Sequence, residues 1–186
     1  MSYPTRDEAL SLLHEYTESP ALRAHARSVE AAMRAYARHY GEDEERWGVA
    51  GLLHDFDYER HPTLEEHPFR GAEILRQRGY DEALIEAVLG HAPHTGHPRT
   101  TRMARALYAV DELCGFITAV ALVRPSRRVA EVEVQSVKKK MKAPAFARSV
   151  SREDIVKGAE ELGVDLDDHI RRCVAAMAEV AAEIGL

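Results

Sequence analysis

The sequence predicts an all-α protein, and three observations carry that expectation. Apolar residues recur at helical spacing along most of the chain, as in Leu22, Ala26, Val29, Met33, Tyr36 and Tyr40. Helix start and stop signals bracket those stretches, among them Thr5 with Glu8, Ser19 with Pro20, and Gly41, Gly79 and Gly163. Strand-like alternation occurs in "RVAEVEVQSV" (128–137), whose surroundings fit a loop and short helix better.

The elements follow in order. A capping box of Thr5 and Glu8 opens a helix over "EALSLLHEY". Ser19-Pro20 opens a long second helix that ends near Gly41. "DEERWGVAGLLH" is a third, stopping at about His54, and a fourth runs from about Pro68 to Gly79. "DEALIEAVLGH" is a fifth, ended by the proline- and glycine-containing loop "APHTGHP". The sixth spans Arg99 to about Val123, with Met103, Leu107, Val110, Cys114 and Ile117 on its apolar side. Ser151 with Asp154 caps a helix to Gly163, and Asp165 opens a last amphipathic helix to about Ile184. The total is about seven to nine helices.

Composition narrows the function. A chain of 186 residues, 45% hydrophobic and 30% charged, suits one domain with a full core. We expect that domain to cover 1–186, with a core at about 20–125 and a helical extension at about 126–186. The net charge of −6 argues against a nucleic-acid polymer as partner. Cys114 and Cys173 lie far apart without a C-x-x-C pair, which argues against a zinc ribbon or a disulfide framework. The start "MSYPTRDEAL" does not read as a signal peptide, and no apolar run approaches membrane-spanning length. A cytoplasmic protein without membrane contact is therefore expected. The stripe Ile170, Val174, Met177, Ala181 and Ile184 packs back on the chain's own core or supports a homodimer.

Ionisable residues interrupt this apolar pattern at particular places. "LLHDFDYE" (52–59) sets His54, Asp55 and Asp57 directly after two leucines. His25 falls between Leu22 and Val29 on the buried face of the second helix, and His67 stands at the start of the fourth. His91 follows Leu84 by seven residues, and Asp111 lies between Leu107 and Cys114 on the inner side of the sixth helix. Each alone reads as an ordinary core or helix-end group. Together, four histidines and two aspartates on one core need partners, because an unpaired buried charge costs several kcal/mol. Divalent metal ions held by neutral imidazoles and carboxylates would satisfy them at once.

A histidine, then "HD", then a distant aspartate, on successive helices of an all-α core, resembles the HD-domain superfamily of metal-dependent phosphohydrolases. The matching residues are His25, His54, Asp55 and Asp111. "HPFRGAEIL" (67–75) and "VLGH" (88–91) resemble the two further histidine segments of its binuclear branch, named for an HD-Ile-Gly motif. This chain reads "HDFD" where that branch has a glycine. The resemblance covers roughly residues 20–125 and implies an HD-type helical bundle. It also implies that His25, His54, Asp55 and Asp111 hold one metal, and that His67 and His91 hold a second with Asp55 bridging. Iron, manganese, nickel, zinc, cobalt and magnesium are all compatible with such ligands.

Two adjacent ions held there would lower the pKa of a bound water from 15.7 to roughly 7, supply a hydroxide for attack on phosphorus and neutralise charge on the non-bridging oxygens. The expected substrate is a small phosphorylated molecule: a nucleotide, or another phosphate ester or anhydride. The cluster "SVKKKMK" (136–142) would supply fixed cations, with Lys139 and Lys140 as the phosphate contacts. Asp57 and His94, in loops near the ligands, are candidates for proton transfer to the leaving group. Glu112 would orient a neighbour or pair with a lysine, and Phe56 and Tyr58 would wall a pocket or belong to the core. His14, His39, His61, His97 and His169 read as surface groups. Two rival readings exist: a di-iron oxygenase that cleaves a C–C or C–P bond, with Tyr16 and Glu18 in a lid, and a regulatory module that binds a nucleotide without turnover.

Overall fold

A computed structural model describes residues 2–186. Among them the chain forms α1 (Arg6–Tyr16), α2 (Pro20–Tyr40), α3 (Glu44–Leu53), α4 (Phe69–Gln77), α5 (Glu82–His91) and α6 (Arg102–Leu122). These are followed by α7 (Val134–Met141), α8 (Arg152–Leu162), α9 (Leu166–Glu179) and α10 (Ala181–Ile184). No strand occurs among the described residues, and the chain is an all-helical bundle as expected.

The local signals act as their chemistry dictates. Thr5 and Glu8 complete the capping box, and Ser19, Ser151 and Asp165 each accept a hydrogen bond from a first-turn amide. "RVAEVEVQSV" becomes a 3-10 turn at Val129–Glu131 followed by α7, with Val129, Val132 and Val137 turned into the core. The last stripe is not one helix. It breaks at Val180, whose backbone leaves the helical region, so α9 and α10 stand where one helix was expected.

The two longest helices, α2 and α6, form the centre. Helix α3 lies so close to α2 that a Cβ at Gly51 would sit 2.7 Å from the Glu30 nitrogen. That contact places His54, at the C-terminal end of α3, beside α2. The extension packs back on the core. Ile170, Val174 and Met177 of α9 and Ile184 of α10 are buried, so most of the last stripe packs on the chain's own core. A Cβ at Gly158 would meet the Ala109 Cα at 2.7 Å, which shows how tightly α8 lies on α6.

His169 corrects the expectation of a surface group. It is 1% exposed, shares a 2.6 Å hydrogen bond with the Tyr36 hydroxyl, and donates from Nε2 to the Ala109 carbonyl at 2.9 Å. It lies one residue before Ile170 on α9 and turns inward because Tyr36 and Ala109 offer it partners. His14 and His39 are exposed, and His61 and His97 are partly so. No helix of the described residues is long and apolar enough to cross a membrane.

Candidate metal centre

Six side chains converge beside the N-terminal part of α2 and the middle of α6. His25 comes from α2, His54 caps α3, Asp55 follows it, His67 precedes α4, His91 ends α5, and Asp111 comes from α6. Their ligating atoms fall into two groups, His25–His54–Asp55–Asp111 and Asp55–His67–His91, each with all atoms within 4.8 Å of one another. Asp55 belongs to both. Its Oδ2 lies 3.3 Å from His54 Nε2, and its Oδ1 lies 3.2 Å from His67 Nε2 and 3.1 Å from His91 Nε2. Asp111 Oδ1 closes the first group, 2.9 Å from His25 Nε2 and 3.3 Å from His54 Nε2.

Second partners fix three imidazoles. Nδ1–H of His54 donates to the Gly51 carbonyl at 2.8 Å, and Nδ1–H of His91 donates to the Val88 carbonyl at 2.5 Å. Nδ1–H of His67 donates to Asp57 Oδ1 at 2.8 Å. Each Nε2 is left facing the centre with a lone pair, the arrangement metal-binding imidazoles adopt. His54 is 0% exposed, and its Nε2 has no hydrogen-bond partner. A buried nitrogen of this kind, aimed between two carboxylates, demands a proton or a Lewis acid, and the donor set fits a divalent ion.

The electrostatics agree. Although burial opposes it, Asp55 and Asp111 hold the His54 imidazole well above its ordinary value. His67 is likewise raised to about 9 by Asp55 and Asp57 against burial. Burial works against the Asp55 carboxylate too, yet His54, His67 and His91 hold it well below the usual range. The centre favours positive charge among its carboxylates.

Asp57 is not where proton transfer would need it. It is 0% exposed, with Oδ1 on His67 and Oδ2 accepting the Gly71 amide at 2.8 Å. It is a positioning residue for His67. Gly71 permits this, because a Cβ there would meet the Asp57 Cγ at 2.8 Å. The "HDFD" departure and the glycine of "HPFRGA" are thus two halves of one contact. His94 does lie at the centre: it lines the cavity above it and donates from Nε2 to the His67 carbonyl at 2.8 Å.

That cavity holds about 320 Å³ and is lined by the six convergent residues except the buried His54. Tyr58 forms part of its wall, edge-on to His67 at 5.2 Å, whereas Phe56 is fully buried in the core. Lys139 and Lys140 are absent from its lining, contrary to their expected role. Lys139 is exposed, and Lys140 sits 4.7 Å above the Phe146 ring, because α7 carries them along a different face of the bundle. No lysine or arginine lines the cavity at all. Tyr16 and Glu18 do not line it either; Tyr16 packs edge-on against Phe56 at 5.2 Å, and the Glu18 amide donates to Glu59.

Tyr108, Gly115 and Val150 of the wall escaped the sequence reading, which gives Glu112 and Asp154 other roles. Glu112 accepts the Ser151 amide at 2.9 Å rather than pairing with a lysine, and burial and Asp111 raise its carboxyl to about 7. Tyr108 and Asp154 join it in the lining, with the Tyr108 hydroxyl donating to Asp154 at 2.7 Å. The spacing 108, 111, 112, 115 is one helix face, a signal that could have identified Tyr108, Glu112 and Gly115. Asp154 carried only a capping signal.

The class these features define is a helical bundle with two His/Asp groups that could hold metal ions. The sequence model of the HD domain matches residues 22–121, more than half of the chain. The chain belongs to the HD-domain family, whose members are in general metal-dependent phosphohydrolases. Comparison with curated proteins and with solved structures gives no match.

Proposed function

We propose that the protein is a binuclear phosphohydrolase acting on a small phosphate ester or anhydride. The observation that carries this reading is the Asp55 carboxylate, which turns one oxygen to each of two ligand groups. His25, His54, Asp55 and Asp111 would hold one ion, and His67 and His91, with Asp55 shared, the second. Bound ions of this kind lower the pKa of a water to about 7 and neutralise charge on phosphoryl oxygens.

The chain's own residues then do the rest. Asp57, the Gly51 carbonyl and the Val88 carbonyl keep the Nε2 atoms of His67, His54 and His91 aimed inward, so that no reorientation is needed. His94, its Nε2–H held by the His67 carbonyl, stands at the cavity wall as the group that, with a second proton on Nδ1, would pass that proton to the leaving oxygen. Tyr58, Ala92 and Pro93 contribute to the cavity wall. Because no lysine or arginine lines the cavity, the charge of the phosphoryl group falls to the ions.

Elemental analysis of protein purified without chelator or added metal tests this. Wild type is expected to carry about two ions per chain, Asp55→Ala almost none and His67→Ala about one. The wild type, but not Asp55→Ala, should release phosphate from p-nitrophenyl phosphate. Iron accompanied by O₂ uptake without phosphate release would replace this reading with the C–C or C–P oxygenase. No metal after reloading would leave a binding module.

A further inference from the structure

One wall of the cavity has no task in the chemistry above. Glu112 and Asp154 both line it, from α6 and from the first turn of α8. Glu112 Oε2 accepts the Ser151 amide at 2.9 Å, and Asp154 Oδ1 accepts the Tyr108 hydroxyl at 2.7 Å. Each carboxylate keeps its other oxygen without a hydrogen-bond donor among the described residues, and neither forms a salt bridge there. Their neighbours behave otherwise. Glu161, on the same helix as Asp154, takes Arg99 at 2.7 Å, and Asp167 takes Lys138 at 2.8 Å. Half-buried carboxyl groups left without a direct ion pair cost free energy when ionised, which a ligand carrying donors can return.

A further metal ion does not fit that role. Neither residue belongs to a group of three ligating atoms within 4.8 Å of one another. The ligand must also be small, since about 320 Å³ stands at the lower end of ligand cavities. It must carry little phosphate charge, since no lysine or arginine is present to meet a second or third phosphoryl group.

We infer that Glu112 and Asp154 form a subsite for a protonated amine, and that the substrate is a small monophosphorylated amine whose phosphoryl group rests on the metal centre. The inference rests on the phosphohydrolase reading and narrows its substrate class. An ammonium group offers three donors to the two free carboxylate oxygens, and charge-assisted bonds of this kind are roughly twice as strong as neutral ones.

The test is calorimetric titration of the manganese-loaded full chain with three non-hydrolysable probes: 3-aminopropylphosphonate, 3-hydroxypropylphosphonate and propylphosphonate. The amine is expected to bind at least about tenfold tighter than the other two. Glu112→Gln and Asp154→Asn should each reduce that preference, and together remove it, while the affinity for propylphosphonate stays unchanged. Both substitutions keep the acceptor for Ser151 or Tyr108, and the single variants stand as independent tests should the double variant fold poorly. Equal affinity for the amine and the hydroxyl compound, or a preference that survives in the folded variants, would overturn the subsite and leave the phosphohydrolase standing. Failure of all three phosphonates to bind the metal-loaded protein would bring down the phosphohydrolase reading, and the subsite with it.

Discussion

Asp57 stands where the binuclear branch has glycine, and its carboxylate is held by His67 on one side and the Gly71 amide on the other. A charged side chain at complete burial persists because both oxygens are satisfied and the imidazole it faces is held above its ordinary value. Asp57→Asn keeps the shape but removes the charge and leaves one acceptor oxygen for two donors, the His67 Nδ1–H and the Gly71 amide. It should weaken the second metal about 10–100-fold while leaving the first nearly unchanged. Stepwise metal titration reads both, and equal weakening of the two sites would show that Asp57 has no particular claim on His67. Gly71→Ala attacks the same contact from the other side, since its Cβ would displace the Asp57 carboxylate, and it should reproduce the selective loss.

Helix α8 belongs to the extension beyond the HD-domain match, yet it completes the cavity. Its docking rests on a glycine as well as on the buried Ile155 and Ala159. A larger residue at Gly158 must push α8 away from the backbone of α6 at Ala109. Gly158→Val is therefore expected to destabilise the protein by about 1–3 kcal/mol in chemical denaturation. Metal stoichiometry should hold, because all six convergent groups lie at or before Asp111. If metal is lost along with stability, α8 supports the centre itself, not merely the wall of its cavity. The same helix carries Asp154 one turn before Gly158, so the tight contact also sets where that carboxylate points.

For the whole molecule, the candidate metal centre gathers carboxylates and imidazoles from α2, the C-terminal cap of α3, α5, α6 and the single loop between α3 and α4 at one place. Without ions, their desolvation is offset only by protons on the histidines. Metal that binds the folded chain alone should add about 2.7 kcal/mol at a hundredfold excess over its Kd. For a chain of this size that corresponds to a rise in Tm of about 5–10 °C, lost on chelation and restored by adding metal back. Coincident melting curves with and without chelator would show that the six groups bind no ion on folding.

The chain's own order of residues determined most of the helices and the six convergent residues themselves. Helix periodicity and capping are local effects, and an ionisable residue on an apolar face is visible wherever the apolar face is. Tertiary packing decided the rest. Whether Asp57 meets solvent or His67 depends on the approach of Gly71. Whether His169 is surface or core depends on Tyr36, 133 residues away. The lysines of α7 read as phosphate ligands by charge alone, and only the direction of that helix takes Lys139 and Lys140 away from the cavity. Glu112 and Asp154 become neighbours of the metal centre because α8 folds back onto α6. Such contacts join residues far apart in sequence, and no local pattern encodes the approach of two helix backbones.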